Sequence, residues 1–276
     1  MVPDENVEDI EIRLVLEAIH ARYGYDLRDY AAGPMRRRLH AALTRLGVAH
    51  LGELQHQLLE DPEFFARVVD DLLVRVSDMF RDPPFYRSFR EKVVPVLRTY
   101  PKLKIWHAGC ASGEEVYTTA IVLAEAELYE RSLIYATDMS AGALALAREG
   151  VYSEAQAAGF AQNYRDSGGC GRFEDYCTRA YGKLAVREGL RKNVFFFQHN
   201  LASDYALGEM HVIVCRNVLI YFGARLQERV LDMFSHSIYS GGFLCLGKSE
   251  RVLPSRAAAF REFVGSDRIY RHRGEW

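Results

Sequence analysis

The sequence predicts an α/β protein: a Rossmann-like, doubly wound parallel sheet that follows an all-helical domain and is interrupted by a small β-rich insert. Three observations carry this. Apolar residues recur at helical spacing through residues 10–75, and from Leu103 onward short apolar runs alternate with helical stretches. Val194 also lies 44 residues beyond Gly150, where about 2–6 residues would return a helix to its next strand. With 276 residues, 49% of them hydrophobic and 26% charged, the chain can bury a sizeable core, which excludes disordered and low-complexity classes.

Taken in order, Ile10, Ile12, Val15, Leu16 and Ile19 make a first helix ending at Tyr23-Gly24. A second runs from Pro34 to Leu46-Gly47, a third begins near Leu51 and a fourth near Pro62. In the second, Met35, Leu39, Leu43 and Leu46 share the core face, which turns Arg37 nearly opposite and puts Arg38 and Arg45 on one flank. Residues 22–45 hold six arginines against Asp26 and Asp29, so this face is either a basic docking surface or a solvated helix side. Four prolines in 83–101 mark a joint, giving expected divisions of 1–82 for the helical domain, 83–101 for a linker and 102–276 for the sheet domain. Strands are expected at 104–106, 133–136, 194–197, 212–215 and 243–246, with a last antiparallel strand near 268–272. The insert, about 151–193, carries six glycines and four tyrosines and suits a β-rich appendage with turns better than another long helix.

Net charge is −2 and the pI about 6.5, so no global charge advertises a nucleic-acid or membrane partner. No apolar run approaches the ~18 residues of a bilayer span, and the acidic N-terminus is unlike a signal peptide. A cytoplasmic monomer is expected. Five scattered cysteines and nine histidines show no metal or disulfide spacing, so no metal is assigned.

The chemistry concentrates at strand ends. The strand through Trp106 runs into Gly109-Cys-Ala-Ser-Gly113-Glu114-Glu115 and an apolar helix, a turn that lets backbone and ligand approach closely. A dinucleotide would bring a pyrophosphate there, but two carboxylates would repel it. They favour a ligand that presents a cation, as S-adenosylmethionine (SAM) does with its ammonium and sulfonium. Asp138 ends the next strand 25 residues after Gly113, close to the ~20-residue spacing of a ribose-binding acid. Capping the following helix is the alternative role. Later strands end in His199-Asn200-Leu201 and Cys215-Arg216-Asn217, again where ligands bind in open α/β sheets.

Phe80-Arg81-Asp82, Trp106 to Tyr117, Ala136-Thr-Asp138 and Cys215 to Phe222 together resemble the CheR family, the chemotaxis receptor methyltransferases, in order and spacing over essentially the whole chain. The resemblance implies a class I methyltransferase sheet with SAM as cofactor and S-adenosylhomocysteine as product. It further implies methyl transfer to glutamate side chains of chemoreceptor cytoplasmic helices, with the insert capturing a receptor C-terminal tail. Carried over by motif, Glu115 contacts the methionyl amine, Asp138 the ribose, and Gly109, Asn200, Leu201, Arg216 and Asn217 line the cofactor. Ser77 and Arg81 close over it, and Arg37, Arg38 and Arg45 meet the receptor. Where the family has Asn-x-Thr, this chain has Arg75-Val-Ser77, which puts one cofactor contact in question.

A glutamate side chain, with a reference pKa of ~4.3, is ionised at neutral pH and is itself the nucleophile, so no general base is required. Catalysis is then positioning, with Arg81 the candidate two-pronged clamp on the carboxylate and Tyr221 a second positioning group; the alternative roles are an Arg81 ion pair with Asp82 or Asp78 and a Tyr221 that is simply packed. Three other readings compete. Asp82-Pro-Pro-Phe-Tyr86 imitates a nucleic-acid methyltransferase motif, but two prolines after Asp82 suit a helix start. A nicotinamide oxidoreductase is disfavoured by the turn's glutamates, and Arg75 keeps open a SAM-binding docking module with little catalysis.

Overall fold

A computed structural model describes residues 6–72 and 77–274. The helical part comprises α1 (Val7–Tyr23), α2 (Ala32–Leu46), α3 (Leu51–Glu60) and α4 (Pro62–Leu72), packed around Val15, Ile19, Leu39, Leu54 and Val68. Met35, Leu39 and Leu43 of α2 are buried there as their spacing requires.

The segment expected as a joint is instead a helix: α5 (Pro83–Ser88) passes through a π-turn at Phe89–Val93 into α6 (Val94–Leu97). Phe85, Tyr86, Phe89, Val93 and Leu97 are buried in the same cluster as Ile105, Val116 and Ile121 of the sheet domain. Its prolines do not break it, because Pro83 and Pro84 occupy a first helical turn and Pro95 follows the π-turn at the start of α6.

The strands are β1 (Leu103–Ala108), β2 (Ser132–Asp138), β3 (Val151–Ser153), β4 (Cys177–Ala180), β5 (Lys183–Val186), β6 (Val194–Gln198), β7 (Met210–Cys215), β8 (Ile238–Leu246), β9 (Phe260–Val264) and β10 (Ile269–His272). Seven form one sheet in the order β6-β2-β1-β7-β8-β10-β9. The first five of that order are parallel, and β10 lies antiparallel between β8 and β9. The expected last strand is present, while β9 went unforeseen. It is an edge strand buried mainly at Phe260 and shows only a weak apolar pattern. Helices α7 (Glu114–Glu125), α8 (Ala141–Glu149) and, after the insert's own helix α9 (Ala157–Asp166), α10 (Ala224–Ser237) cover the sheet. The winding reverses between β1 and β7, which opens a crevice at the carboxyl ends of these strands.

The insert holds the antiparallel sheet β3-β5-β4, and also α9, a ten-residue helix where turns and strands were expected. Ala157, Phe160, Ala161 and Tyr164, spaced i, i+3, i+4, i+7, are its buried face. The Tyr164 and Tyr176 hydroxyls donate to Glu125 at the end of α7, which also pairs with Arg90 of the π-turn. The helical domain docks through a short antiparallel bridge of Tyr30 with Phe222. The Ala31 N–H donates to the Tyr221 carbonyl at 2.8 Å, and the Gly223 N–H to that of Asp29 at 2.7 Å.

Candidate functional site

The crevice begins at the turn after β1. The Gly109 and Cys110 N–H groups donate to the Thr137 carbonyl at 2.8 and 2.9 Å, tying the turn to β2. Gly109 has φ +76°, and a Cβ there would lie 2.6 Å from Val218 Cγ2; Gly113 has φ +88° and would meet Ala147 Cβ at 2.9 Å. Both positions therefore exclude side chains on conformation and on space.

Asp138 braces this turn. Its Oδ2 accepts the Ala111 N–H at 2.8 Å and its Oδ1 the Ser140 N–H at 2.9 Å. Capping of α8 belongs to Ser140, whose hydroxyl accepts the Ala143 N–H at 3.1 Å. Each Asp138 oxygen takes one of these bonds, and a carboxylate offers about four acceptor sites.

The two glutamates at the start of α7 part company. Glu114 is only 4% exposed and turns away from the crevice, with both carboxylate oxygens accepting from the Ser112 hydroxyl. Burial pushes its carboxyl up to about 7. Glu115 alone lines the crevice. Of the pair expected to repel a pyrophosphate, one carboxylate remains to do so.

Glu115 Oε1 accepts the Tyr86 hydroxyl at 2.9 Å and pairs with Arg216 Nη1. The Arg216 side chain is 1% exposed, pairs with Asp82 at 2.7 Å and lies over the Phe85 ring at 4.1 Å from its centroid. Its Nη1 also reaches the Arg81 carbonyl at 3.3 Å. One guanidinium thus joins the end of β7, the acid of α7 and the residues leading into α5. Despite the burial, the charges of Glu115 and Asp82 hold its pKa above the ordinary value.

The loop after β7 is gathered by a residue the sequence reading did not name. Glu250, 4% exposed, accepts the N–H of Asn217 (2.9 Å) and Gly247 (2.6 Å) on Oε2, and of Val218 (2.8 Å) and Ile220 (3.3 Å) on Oε1. Asn217, at φ +61°, is left-handed. On the other side, Asn200 turns its chain by accepting the Ala202 N–H at 2.9 Å and giving its own N–H to Asp204, and His199 packs edge-on against Trp106.

Ser77, Arg81, Gly109, Glu115, Asp138, Asn200, Leu201, Arg216, Asn217 and Tyr221, all named from the sequence, line this one cleft of about 870 Å³ including its mouth. Arg75 lies outside the described residues. Arg38 corrects its expected place on an outer docking flank. It lines the cleft with Tyr30, lays its guanidinium over the Tyr221 ring at 4.3 Å and donates to the Leu72 carbonyl at 2.6 Å. Helical periodicity put it beside the core stripe, but only the docking of the helical domain decided what it faces. Arg37 and Arg45 are exposed and do not line the cleft, with Arg45 Nη2 donating to the Arg67 carbonyl.

Residues 75–268 match the family described as CheR methyltransferase, SAM binding domain, and residues 10–73 match the CheR methyltransferase all-alpha domain. The chain belongs to the CheR methyltransferase family. Cher3 of Pseudomonas putida is 43% identical to it over 268 residues, covering 97% of this chain and 98% of the relative. A chemotaxis protein methyltransferase of Vibrio parahaemolyticus is 31% identical, covering 89% and 90%. Chemotaxis protein methyltransferase Cher2 of P. putida is 34% identical, covering 78% and 80%. The chain is accordingly a SAM-dependent methyltransferase of the CheR chemotaxis family, with the class I methyltransferase sheet and an N-terminal all-helical domain.

The cleft's donor set fits SAM. Glu115 offers a carboxylate for an ammonium, Asp138 offers acceptors for ribose hydroxyls, and the side-chain-free turn at Gly109 brings backbone close. Among the described residues, no group of three or more His, Cys, Asp or Glu is placed to hold a metal ion, and no helix is long and apolar enough to cross a membrane.

Proposed function

We propose that the protein works in the cytoplasm and methylates glutamate side chains on the helical cytoplasmic region of a chemoreceptor, forming glutamyl methyl esters. The observation that carries this reading is the company of Arg38, Arg81 and Tyr221 on the wall of the cofactor cleft. Two arginines and a phenol line one cleft with Glu115 and Asp138, and a carboxylate is an acceptor they suit. Bound in this cleft, SAM supplies an electrophilic methyl group on a sulfonium centre.

The residues then have separate tasks. Glu115 and Asp138 orient the cofactor, with Ser77, Asn200, Leu201 and Asn217 around it. Arg81 holds the acceptor carboxylate in two-pronged fashion, and the Tyr221 hydroxyl fixes its angle of approach. The Arg38 guanidinium over the Tyr221 ring limits that ring's movement. No residue needs to take up a proton, because the acceptor arrives ionised. Carboxylate and sulfonium charges cancel in the products, so excluding water from the cleft favours transfer. Arg37 and Arg45, exposed on α2, suit an acidic helical partner, and the edge strand β4 of the insert suits an extended receptor tail.

The test is methyl transfer from labelled SAM to a receptor cytoplasmic fragment, beside duplex DNA and a no-acceptor control. Base-labile label on the receptor alone is the expected result. Label on DNA, or cofactor binding without transfer to any acceptor, would replace the reading with a nucleic-acid methyltransferase or a docking module.

A further inference from the structure

We infer that Glu250 is the positioning residue for the active-site loop, holding the cofactor wall and the acceptor group in one fixed relation. Glu250 lies beyond the end of β8, 33 positions from Asn217, and does not line the cleft. Its carboxylate nevertheless collects four backbone N–H groups, three of them from the loop Asn217–Ile220. That loop carries Asn217 on the cofactor side and ends in Tyr221 on the acceptor side. Its next residues, Phe222 and Gly223, pair with Tyr30 and Asp29 of the helical domain.

The loop's own turn bonds run from the Tyr221 and Phe222 N–H groups to the Val218 and Leu219 carbonyls and leave the Asn217, Val218 and Ile220 N–H groups to Glu250. A neutral acceptor could satisfy one or two donors. Converging four requires both oxygens of a carboxylate, and charge makes each bond about twice as strong as a neutral one. The surroundings are built for it. A Cβ on Gly247 would lie 2.7 Å from Glu250 Oε2 and 2.8 Å from the Asn217 nitrogen. Asn217 sits at φ +61°, in the left-handed region that asparagine enters more readily than other residues with a side chain. Val218, second in the loop, packs against Gly109, so the same carboxylate also sets the spacing between the two strand-end turns.

The cofactor half of this inference stands on the family's SAM site. The acceptor half rests on the reading above, so the test separates them. Glu250→Gln keeps the size but turns an amide NH₂ toward two of the donors. Val230→Ala, in the buried face of α10, provides a variant destabilised without removing any of these hydrogen bonds. Calorimetric affinity for S-adenosylhomocysteine is measured first, since it needs no acceptor, and single-turnover transfer to the receptor fragment at saturating cofactor second.

Glu250→Gln should bind S-adenosylhomocysteine at least tenfold more weakly and transfer at least tenfold more slowly once saturated. Val230→Ala should lower the melting temperature while leaving both near parental. Glu250→Asp, which cannot reach all four donors, should not rescue. If Glu250→Gln melts earlier but keeps parental affinity and transfer, Glu250 is a structural brace and the inference fails. If it does not fold, Gly247→Ala presses on the same contact from the other side, and parental affinity and transfer there would equally overturn the inference. Should the parent itself transfer nothing to the receptor, the affinity arm still decides the cofactor half.

Discussion

Replacing Glu114 by glutamine should stabilise the protein at alkaline pH and change nothing at acid pH. The carboxyl is 4% exposed at the first turn of α7 and has the Ser112 hydroxyl for company. Burial raises it from its ordinary 4.5 to about 7, and hydrogen bonds from its own backbone and from Ser112 offset only part of that rise. The folded chain therefore holds this proton more tightly than the unfolded one. The associated stability is full below about pH 4.5 and is lost as the pH rises through about 7. With about 1.36 kcal/mol for each pH unit between the two values, the loss is ~3 kcal/mol. Glutamine never ionises, so parent and variant should unfold alike near pH 4.5, and the variant should be more stable by about that amount at pH 8.5. Urea unfolding followed through Trp106 fluorescence at a series of pH values measures the difference. Other titrating groups, including the buried His107, cancel between the two proteins. A gap that stays constant with pH would show that Glu114 ionises freely in the folded state and that the burial argument is wrong.

Four further outcomes follow from the site. Asp138→Ala should weaken S-adenosylhomocysteine binding about 10- to 100-fold, since each bond to a charged acceptor contributes ~1.5–3 kcal/mol. Unchanged calorimetric affinity would leave Asp138 as a brace for Ala111 and Ser140 only. Arg81→Ala should slow saturated single-turnover transfer by about 10²-fold, because a nucleophile misplaced by about 1 Å loses that much. Lysine should not restore the rate, lacking a planar fork, and near-parental transfer would remove the clamp. Arg216→Met strands Glu115 in a largely buried place and should cost ~3–5 kcal/mol. Combining it with Glu115→Gln should recover part of this in a double-mutant cycle, and additive losses would mean the pair is not coupled. Arg37→Glu with Arg45→Glu should slow receptor methylation at low ionic strength and converge with the parent at high salt. Equal rates at low salt would make that face merely solvated.

Much of the molecule follows from chain-local rules. The helices α1–α4 and the parallel strands are legible because burial on one face imposes a period of 3.6 and burial on both faces imposes continuous apolar runs. The strand-end acid Asp138 and the glycine turn are legible because the backbone there must approach a ligand. Helix α9 followed the same rule, through Ala157, Phe160, Ala161 and Tyr164, but the glycines around it hid the pattern. The α5–α6 helix was obscured by prolines that a first turn tolerates.

What sequence could not assign were the directions of polar side chains whose partners lie far along the chain. Glu114 and Glu115 are adjacent, yet one is buried and the other faces the cleft, because a helix turns neighbours by about 100° and only packing says which direction is solvent. Arg38 meets Tyr221 across 183 positions and Glu250 meets Asn217 across 33. Such contacts carry no periodicity, since they are made by one domain docking on another and by loops closing over a sheet's end. Chain-local patterns carry α1–α4, the parallel strands, the family and the cleft residues at the strand ends, but not β9, α9 or the α5–α6 helix. Tertiary structure alone decided which charges face the cleft and which hold its walls, because electrostatic partners are chosen by distance in space rather than distance along the chain.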